Sequence, residues 1–294
     1  MNSINTSFSV VIPTKNRLNS LLRCLESIAK QSIYPNKIII IDQSKVNNLI
    51  ELKKKINSKL LNIIFYHHNR NIQGLVSAKK YSLNFCNSEF ICFLEDDLYL
   101  EKDFLNTLYQ SFTSKNIMGV SGVITNHPKK TFIFNFIFDI FHIGIYNDIR
   151  YKIYNSLVKI NSSKLIYSDK LSGGITMWRS KVFKKVLLDT QNFLHFTEDI
   201  DFSSRIVSEF GKSTYINPSA RTAHDIVQDG RVDDPKKIQL KIKEYKIFYS
   251  KRKSFVNLLT TSWLLIGFFI ESIFKSIFCF KFKYILFFFK GLLS

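Results

Sequence analysis

Apolar residues first run in short blocks separated by polar turns; past residue 235 they run in long blocks broken by lysines. Phe8–Ile12 (FSVVI) predicts a strand that ends in Pro13-Thr14-Lys15-Asn16-Arg17. Leu18, Leu21, Leu22, Leu25 and Ile28 recur at the spacing of one helix face, so Leu18–Ala29 predicts a helix. Lys37–Ile41 (KIIII) predicts a second strand, closed by Asp42-Gln43-Ser44. Uninterrupted apolar runs of this kind suit strands buried on both faces of a parallel sheet. A polar helix over about 46–58, a third strand around Asn62–Tyr66, a turn near Gly74 and a helix over about 75–85 follow. Phe90–Leu94 (FICFL) predicts the fourth strand, ending in Glu95-Asp96-Asp97. Strands alternating with helices indicate an α/β open sheet, in which ligands bind beyond the carboxyl ends of the strands. The PTKNR, DQS and EDD tips are therefore expected to face one crevice.

Further along, Thr131–Asn147 (TFIFNFIFDIFHIGIYN) carries Phe at 132, 134, 136, 138 and 141, an alternation that predicts a strand with one aromatic face. It is read either as core packing or as an apolar wall beside an acceptor site. Charge changes the picture at the C-terminus. The 294 residues carry a net charge of +19, and residues 236–254 alone hold eight Lys/Arg and one Glu. Phe255–Ile270 has no charge, and the apolar run Ile277–Leu293 is interrupted by Lys281, Lys283 and Lys290. We expect two domains, 1–235 and 236–294, the second a basic, apolar, helical tail.

A bilayer-crossing helix needs about 20 apolar residues, which the first of these runs narrowly lacks. Lysines among Phe and Leu can reach headgroups while the rings enter the acyl boundary. The tail is thus expected to associate with a membrane surface, lying on it or anchored by one span. The competing reading is a helix pair packed on the first domain or on a second subunit. Nucleic acid is not an expected partner, because the aromatics cluster (Phe287-Phe288-Phe289) instead of spacing out as stacking platforms. Cys24, Cys86, Cys92 and Cys279 have neither metal-type spacing nor the density of a disulfide scaffold, which fits a reducing, cytosol-facing setting. The opening MNSINTSFSVV lacks a secretory pattern.

No glycine-rich phosphate fingerprint follows the first strand, which argues against a dinucleotide dehydrogenase. Three adjacent carboxylates at Glu95, Asp96 and Asp97 repel one another unless a cation compensates them. Hard oxygen donors of this kind suit Mg²⁺ or Mn²⁺ bridging to phosphate; an acidic turn before a helix over Leu98–Tyr109 is the alternative. A second acidic cluster, Glu198, Asp199 and Asp201, sits in TEDIDFSSRI, where one acid can face the crevice while others cap the helix or pair with Arg205. Some 25 residues ahead of it, Gly173-Gly174 permits close backbone approach to a ligand.

FSVVIPTKNR (8–17), IIIIDQS (38–44), FICFLEDD (90–97), and SGGITMWR (172–179) with TEDIDFSSRI (197–206) occur in the order found in family-2 glycosyltransferases. The resemblance covers about residues 8–225. It implies a GT-A, Rossmann-like, mostly parallel α/β sheet flanked by helices. It also implies metal-dependent, inverting transfer of a sugar from a nucleotide-diphosphate donor. On that resemblance Pro13, Thr14, Asn16, Arg17, Asp42, Lys79 and Asp96 would contact the nucleotide. Asp97 would be the main metal ligand, for Mn²⁺ or Mg²⁺, and His224 in RTAHD resembles a histidine that completes the metal shell in some relatives. Glu95, Gly173 and Gly174 would border the donor and acceptor sugars. Asp199 would be the base, with Glu198 the alternative and an ion pair to Arg205 or Arg179 the competing role. The acceptor is expected to be a saccharide, lipid-linked, at the cytoplasmic face of a membrane during surface polysaccharide assembly. A polyprenyl-phosphate sugar transferase and a non-catalytic binding protein on a degenerate transferase fold are the rival readings.

Overall fold

The computed structural model describes residues 7–127, 132–156, 164–192, 194–225, 234–278 and 280–294. Cys279 and the first six residues of the opening segment lie outside the described residues. The chain begins β1 (Phe8–Thr14), α1 (Leu18–Ala29) and β2 (Lys37–Asp42). Two short helices follow, α2 (Leu49–Lys55) and α3 (Ser58–Leu61), where one polar helix was expected. The break is local chemistry: Ile56 is extended, and the Asn57 side chain accepts the Lys59 amide at 2.8 Å to start a new helix. Next come β3 (Ile64–His68), α4 (Leu75–Ser82) with a further 3-10 turn, and β4 (Phe90–Leu94).

β5 (Leu98–Leu100) replaces the first part of the helix expected over Leu98–Tyr109, and α5 (Phe104–Gln110) supplies the rest. Leu98 and Leu100 are buried while Tyr99 between them is exposed, the two-residue period of a strand. Then follow β6 (Gly119–Ile124), α6 (Phe132–Phe141), α7 (Arg150–Ser156), β7 (Ile166–Tyr167), β8 (Ile175–Arg179), α8 (Val182–Lys185), α9 (Glu198–Phe210) and β9 (Thr214–His224). The chain closes with α10 (Asp234–Ser250), α11 (Phe255–Phe278) and α12 (Lys283–Leu293).

The strands form one mixed sheet in the order β3-β2-β1-β4-β8-β6-β9-β5, with β7 against β9. β3, β2, β1 and β4 are mutually parallel; the apolar runs of β2 and β4 are buried on both faces, while β3 (IFYHH), half-buried throughout, forms the edge, and β8 enters antiparallel to begin the mixed half. Val10, Ile12, Ile38, Ile40, Cys92 and Leu94 form a core with Leu21, Leu25 and Ile28 of α1. Each such Ile or Leu contributes about 1.5–3 kcal/mol by leaving water. In this register Thr14 stands beside Asp42, so the tips of β1 and β2 end level, and β4 beside them delivers Glu95–Asp97 to the same edge.

The chain divides into two compact units: residues 1–128, 150–193 and 199–227, and residues 129–149, 194–198 and 228–294. The second gathers α6 and α10–α12. The Tyr146 and Thr261 hydroxyls bond at 2.7 Å, Trp263 Nε1 donates to the Ile140 carbonyl at 2.7 Å, and Lys246 Nζ donates to the Leu292 carbonyl at 2.7 Å. Gly291 lets α12 approach α10: a Cβ there would lie 3.0 Å from that of Ile242.

The aromatic strand expected over 131–147 is instead α6 followed by a single turn at Gly144–Tyr146. Isoleucines between the phenylalanines make the run almost wholly apolar, and such a run carries no reliable period. Burial supplies it: Asn135, Phe138, Phe141 and His142 are half-buried, whereas Phe136, Ile137 and Ile140 are exposed. Thr131 and the side chains of Phe132 and Phe134 lie outside the described residues.

Candidate active site

The turn after β1 is built by Asn16, whose φ of 56° is a left-handed conformation that asparagine tolerates better than most residues. Its amide donates to Ser44 Oγ at 2.7 Å and its side chain accepts the Lys45 amide at 3.0 Å, tying the tips of β1 and β2 together. Arg17 then reaches across the carboxylates, with Nη2 2.7 Å from Asp96 and Nη1 2.9 Å from Asp97. Asp96 is fully buried and also accepts the Thr14 hydroxyl at 2.6 Å. Burial pushes its carboxyl up to about 6, against the opposing pull of Thr14 and Arg17.

Asp96 and Asp97 form a turn after β4, in which Asp96 meets Thr14 while Glu95 and Asp97 meet at His224. His224 Nε2 lies 2.9 Å from Asp97 and 3.2 Å from Glu95. The histidine backbone is fixed by a reciprocal clamp, in which its amide donates to Asn126 Oδ1 at 2.8 Å and its carbonyl accepts from Asn126 Nδ2 at 2.9 Å. Hydrogen bonds to Asp97 and Glu95 raise the imidazole to about 10 against the effect of burial. Burial works to raise the Asp97 carboxyl, but the His224 hydrogen bond and the His224 and Arg17 charges outweigh it and hold it below its ordinary value.

Glu95, Asp97 and His224 each present a ligand atom, all within 4.8 Å of one another. Two carboxylates and an imidazole form a hard O/N donor set suited to Mn²⁺. Three such donor atoms gathered this closely fit a divalent cation. Glu95 thus joins the expected pair Asp97 and His224 as a metal-ligand candidate.

Asp42 is fully buried and accepts the Ser44 amide at 2.8 Å, Asn48 Nδ2 at 3.0 Å and the Tyr66 hydroxyl. Lys79 is buried on α4, its ammonium donating to the Gly173 carbonyl at 3.1 Å. Gly174 is a matter of space: a Cβ there would fall 2.4 Å from Glu95 Cγ. Pro13 lies buried within β1.

A cavity of about 290 Å³ joins the two acidic clusters. Glu95 and His224 line one part of it, Gly173 and Gly174 another, and Asp199 a third. Glu198 opens α9 but is not part of that lining. Asp199 pairs with Arg150 at 2.7 Å, not with Arg205 or Arg179, which bond Asp201 and Glu89. Its other oxygen accepts the Ile200 amide at 2.7 Å, so the carboxylate is held at both ends. Sequence reasoning missed Arg150, His127 and Tyr154. His127 and Tyr154 stack at 5.0 Å on the cavity wall, and Tyr154 bonds Ser172 at 2.8 Å. Nothing local in the sequence marks them.

Residues 9–183 match the family model described as glycosyl transferase family 2. The chain belongs to that family. Among curated proteins it is 22% identical over 218 residues to glycosyltransferase GlyA of Streptococcus pneumoniae serotype 4, a match covering 74% of this chain and 30% of the relative. A second relative from that organism, glycosyltransferase GlyG, is 27% identical over 121 residues, or 41% of this chain and 40% of the relative. The matched stretches thus span less than half of either relative. A dolichyl N-acetyl-α-D-glucosaminyl phosphate 3-β-D-2,3-diacetamido-2,3-dideoxy-β-D-glucuronosyltransferase of Methanococcus voltae is 24% identical, covering 72% of this chain and 64% of the relative. In fold, the family 2 chain resembles the mannosyltransferase PcManGT of Pyrobaculum calidifontis, solved with GDP-Man and Mn²⁺. The TM-score is 0.62 at 10% identity, over 98% of this chain and 86% of that one. Staphylococcus aureus TarS 1-349 with UDP-GlcNAc gives 0.57 at 14% identity, over 90% and 73%. The architecture is the GT-A sheet with flanking helices and a C-terminal apolar helix.

Proposed function

We propose that this family 2 chain transfers a sugar, with inversion, from a nucleotide-diphosphate donor to a hydroxyl of a lipid-linked saccharide. The observation that carries the reading is the single cavity bordered by Glu95 and His224 of the first acidic cluster and Asp199 of the second. The acceptor hydroxyl attacks the anomeric carbon and its proton passes to the Asp199 carboxylate. The bond from that carbon to the diphosphate oxygen breaks, its electron pair leaving with the nucleoside diphosphate. A single displacement of this kind inverts the anomeric centre.

Arg150 and the Ile200 amide fix the rotamer of Asp199, which keeps the base in line with the attack. Glu95, Asp97 and His224 would hold Mn²⁺, or Mg²⁺, which when bound would offset charge on the leaving diphosphate. Asp42, with Pro13 and Thr14, would receive the nucleoside, Asp96 the ribose and Lys79 the phosphates. Asn16 and Arg17 would act by shaping this pocket, since both are bonded within it. The solved neighbours printed with GDP-Man and Mn²⁺ and with UDP-GlcNAc support a nucleotide-sugar donor and the metal.

A lipid-linked acceptor is supported by the name of the Methanococcus voltae relative and by the second unit. α11 is a 24-residue apolar helix, and Phe255, Phe278, Phe280, Phe282 and Leu293 are exposed around it and α12. Exposed apolar surface of this extent marks a contact with something apolar. With Lys281, Lys283 and Lys290 among these rings, an anionic membrane surface at the cytoplasmic face fits best. Residues 236–294 would then be the attachment region of a catalytic domain in 1–235.

The test is consumption of UDP-GlcNAc, UDP-glucose, UDP-galactose and GDP-mannose by folded protein with Mn²⁺ and with chelator. Metal-dependent turnover of one donor is expected. No binding and no turnover of any donor would overturn the reading.

A further inference from the structure

Glu244 is the one acidic residue in the basic stretch 236–254, yet it is buried. On α10 its carboxylate is surrounded by backbone amides. Its Oε1 accepts the His195 amide at 2.8 Å, and its Oε2 accepts the Phe196 amide at 2.8 Å and the Thr197 amide at 2.9 Å. The Thr197 hydroxyl donates to the same Oε2 at 3.0 Å. Charge-assisted hydrogen bonds are the strong kind, and three consecutive amides converging on one carboxylate leave residues 195–197 little freedom. The next residue, Glu198, is the first of α9, and Asp199 follows it.

We infer that Glu244 is a positioning residue for the transfer reaction: a carboxylate on α10 that fixes the 195–197 turn and thereby the place where Asp199 stands. The inference rests on the reading of Asp199 as the base. A helix can start wherever its first turn is capped, and Thr197, at the capping position, spends its hydroxyl on Glu244. The turn that leads directly into Glu198 and Asp199 is therefore held by Glu244. A shift of about 1 Å in a catalytic group can cost about a hundredfold in rate, so a clamp at this point has leverage on turnover without touching donor or metal.

The experiment uses the full chain, the donor that the wild type consumes from the panel above, and water as acceptor. Glu244→Gln keeps the volume but turns an NH₂ group toward amides that need an acceptor. It is expected to lower kcat by about 10- to 100-fold with the donor KM and the affinity for UDP or GDP with Mn²⁺ unchanged. Glu244→Asp should recover part of that loss, and Thr197→Val should lose less than Glu244→Gln. In an Asp199→Asn background Glu244→Gln should change kcat by less than about twofold, because the base it positions is already gone. Should Glu244→Gln fail to fold, Thr197→Val and Glu244→Asp carry the same comparison. Equal loss of kcat and donor affinity, an unchanged kcat, or multiplicative losses with Asp199→Asn would each overturn the inference. Failure of the wild type to consume any donor, by contrast, would remove the reading on which it rests.

Discussion

Replacing Gly174 by alanine puts the metal-site geometry under direct stress. The added methyl would lie 2.4 Å from Glu95 Cγ and 2.5 Å from both Cδ and Oε1, where ordinary contact begins near 3.4 Å. Glu95 must therefore retreat by about 1 Å, which breaks its 3.2 Å contact with His224 and withdraws one donor from the three. Disturbing the support of a metal ligand costs about 10- to 100-fold in affinity, or about 1.4–2.7 kcal/mol. The cost in folding should fall at the low end of about 1–3 kcal/mol for overpacking, because the Glu95 side chain is 36% exposed and can turn outward. The assay is calorimetric titration of Mn²⁺ in the presence of UDP or GDP, beside a thermal melt. Gly211→Ala is the control: its φ of 71° strains an alanine, but no atom lies within 4 Å of the new Cβ. That variant should melt earlier with Mn²⁺ affinity intact. Wild-type Mn²⁺ affinity in Gly174→Ala would refute the reasoning.

Three further outcomes follow from the geometry. Asp97→Asn removes the carboxylate shared by Arg17 and His224, and metal-dependent turnover should fall by at least about 100-fold in the donor assay; retained turnover would move the metal elsewhere. Burial pushes the His142 imidazole down to about 4, while the Phe138 carbonyl, Asp148 and Glu271 pull upward and Lys241 pushes further down. An unfolded histidine binds its proton near pH 6.5, so stability should fall as pH drops from about 6.5 to about 4, by about 3 kcal/mol in all. His142→Phe should flatten that part of a melting-temperature profile, and an unchanged slope would count against it. Finally, the chain should co-sediment with phosphatidylglycerol vesicles and keep much of that binding at 0.5 M salt. Replacing exposed Phe280 and Phe282 by serine should weaken it by about tenfold, and loss of all binding in salt would mean charge alone holds it.

What could be read in advance was what a local pattern dictates. β1, β2 and β4 are short, largely apolar runs closed by polar tips, and the crevice at those tips followed from the alternation of strands and helices. β5 was hidden because Leu98-Tyr99-Leu100 is too short to show a period until β9 pairs with it. α6 was hidden because nearly every residue in it is apolar. Glu95 as a ligand was not legible: Asp96 and Asp97 form a turn, where no strand period says which acids share a side, and His224 reaches Asp97 from 127 residues away. Nor was Arg150, since it meets Asp199 49 residues away and only the fold brings them together. Glu244 did leave a trace, as a lone acid among eight basic residues.

The most direct measurement is an anomalous-scattering map at the manganese edge from crystals soaked with MnCl₂ and UDP or GDP. The account places the manganese peak among Glu95, Asp97 and His224, with the diphosphate against it and Asp199 across the same cavity. A bound nucleotide whose manganese lies away from those three side chains would contradict it.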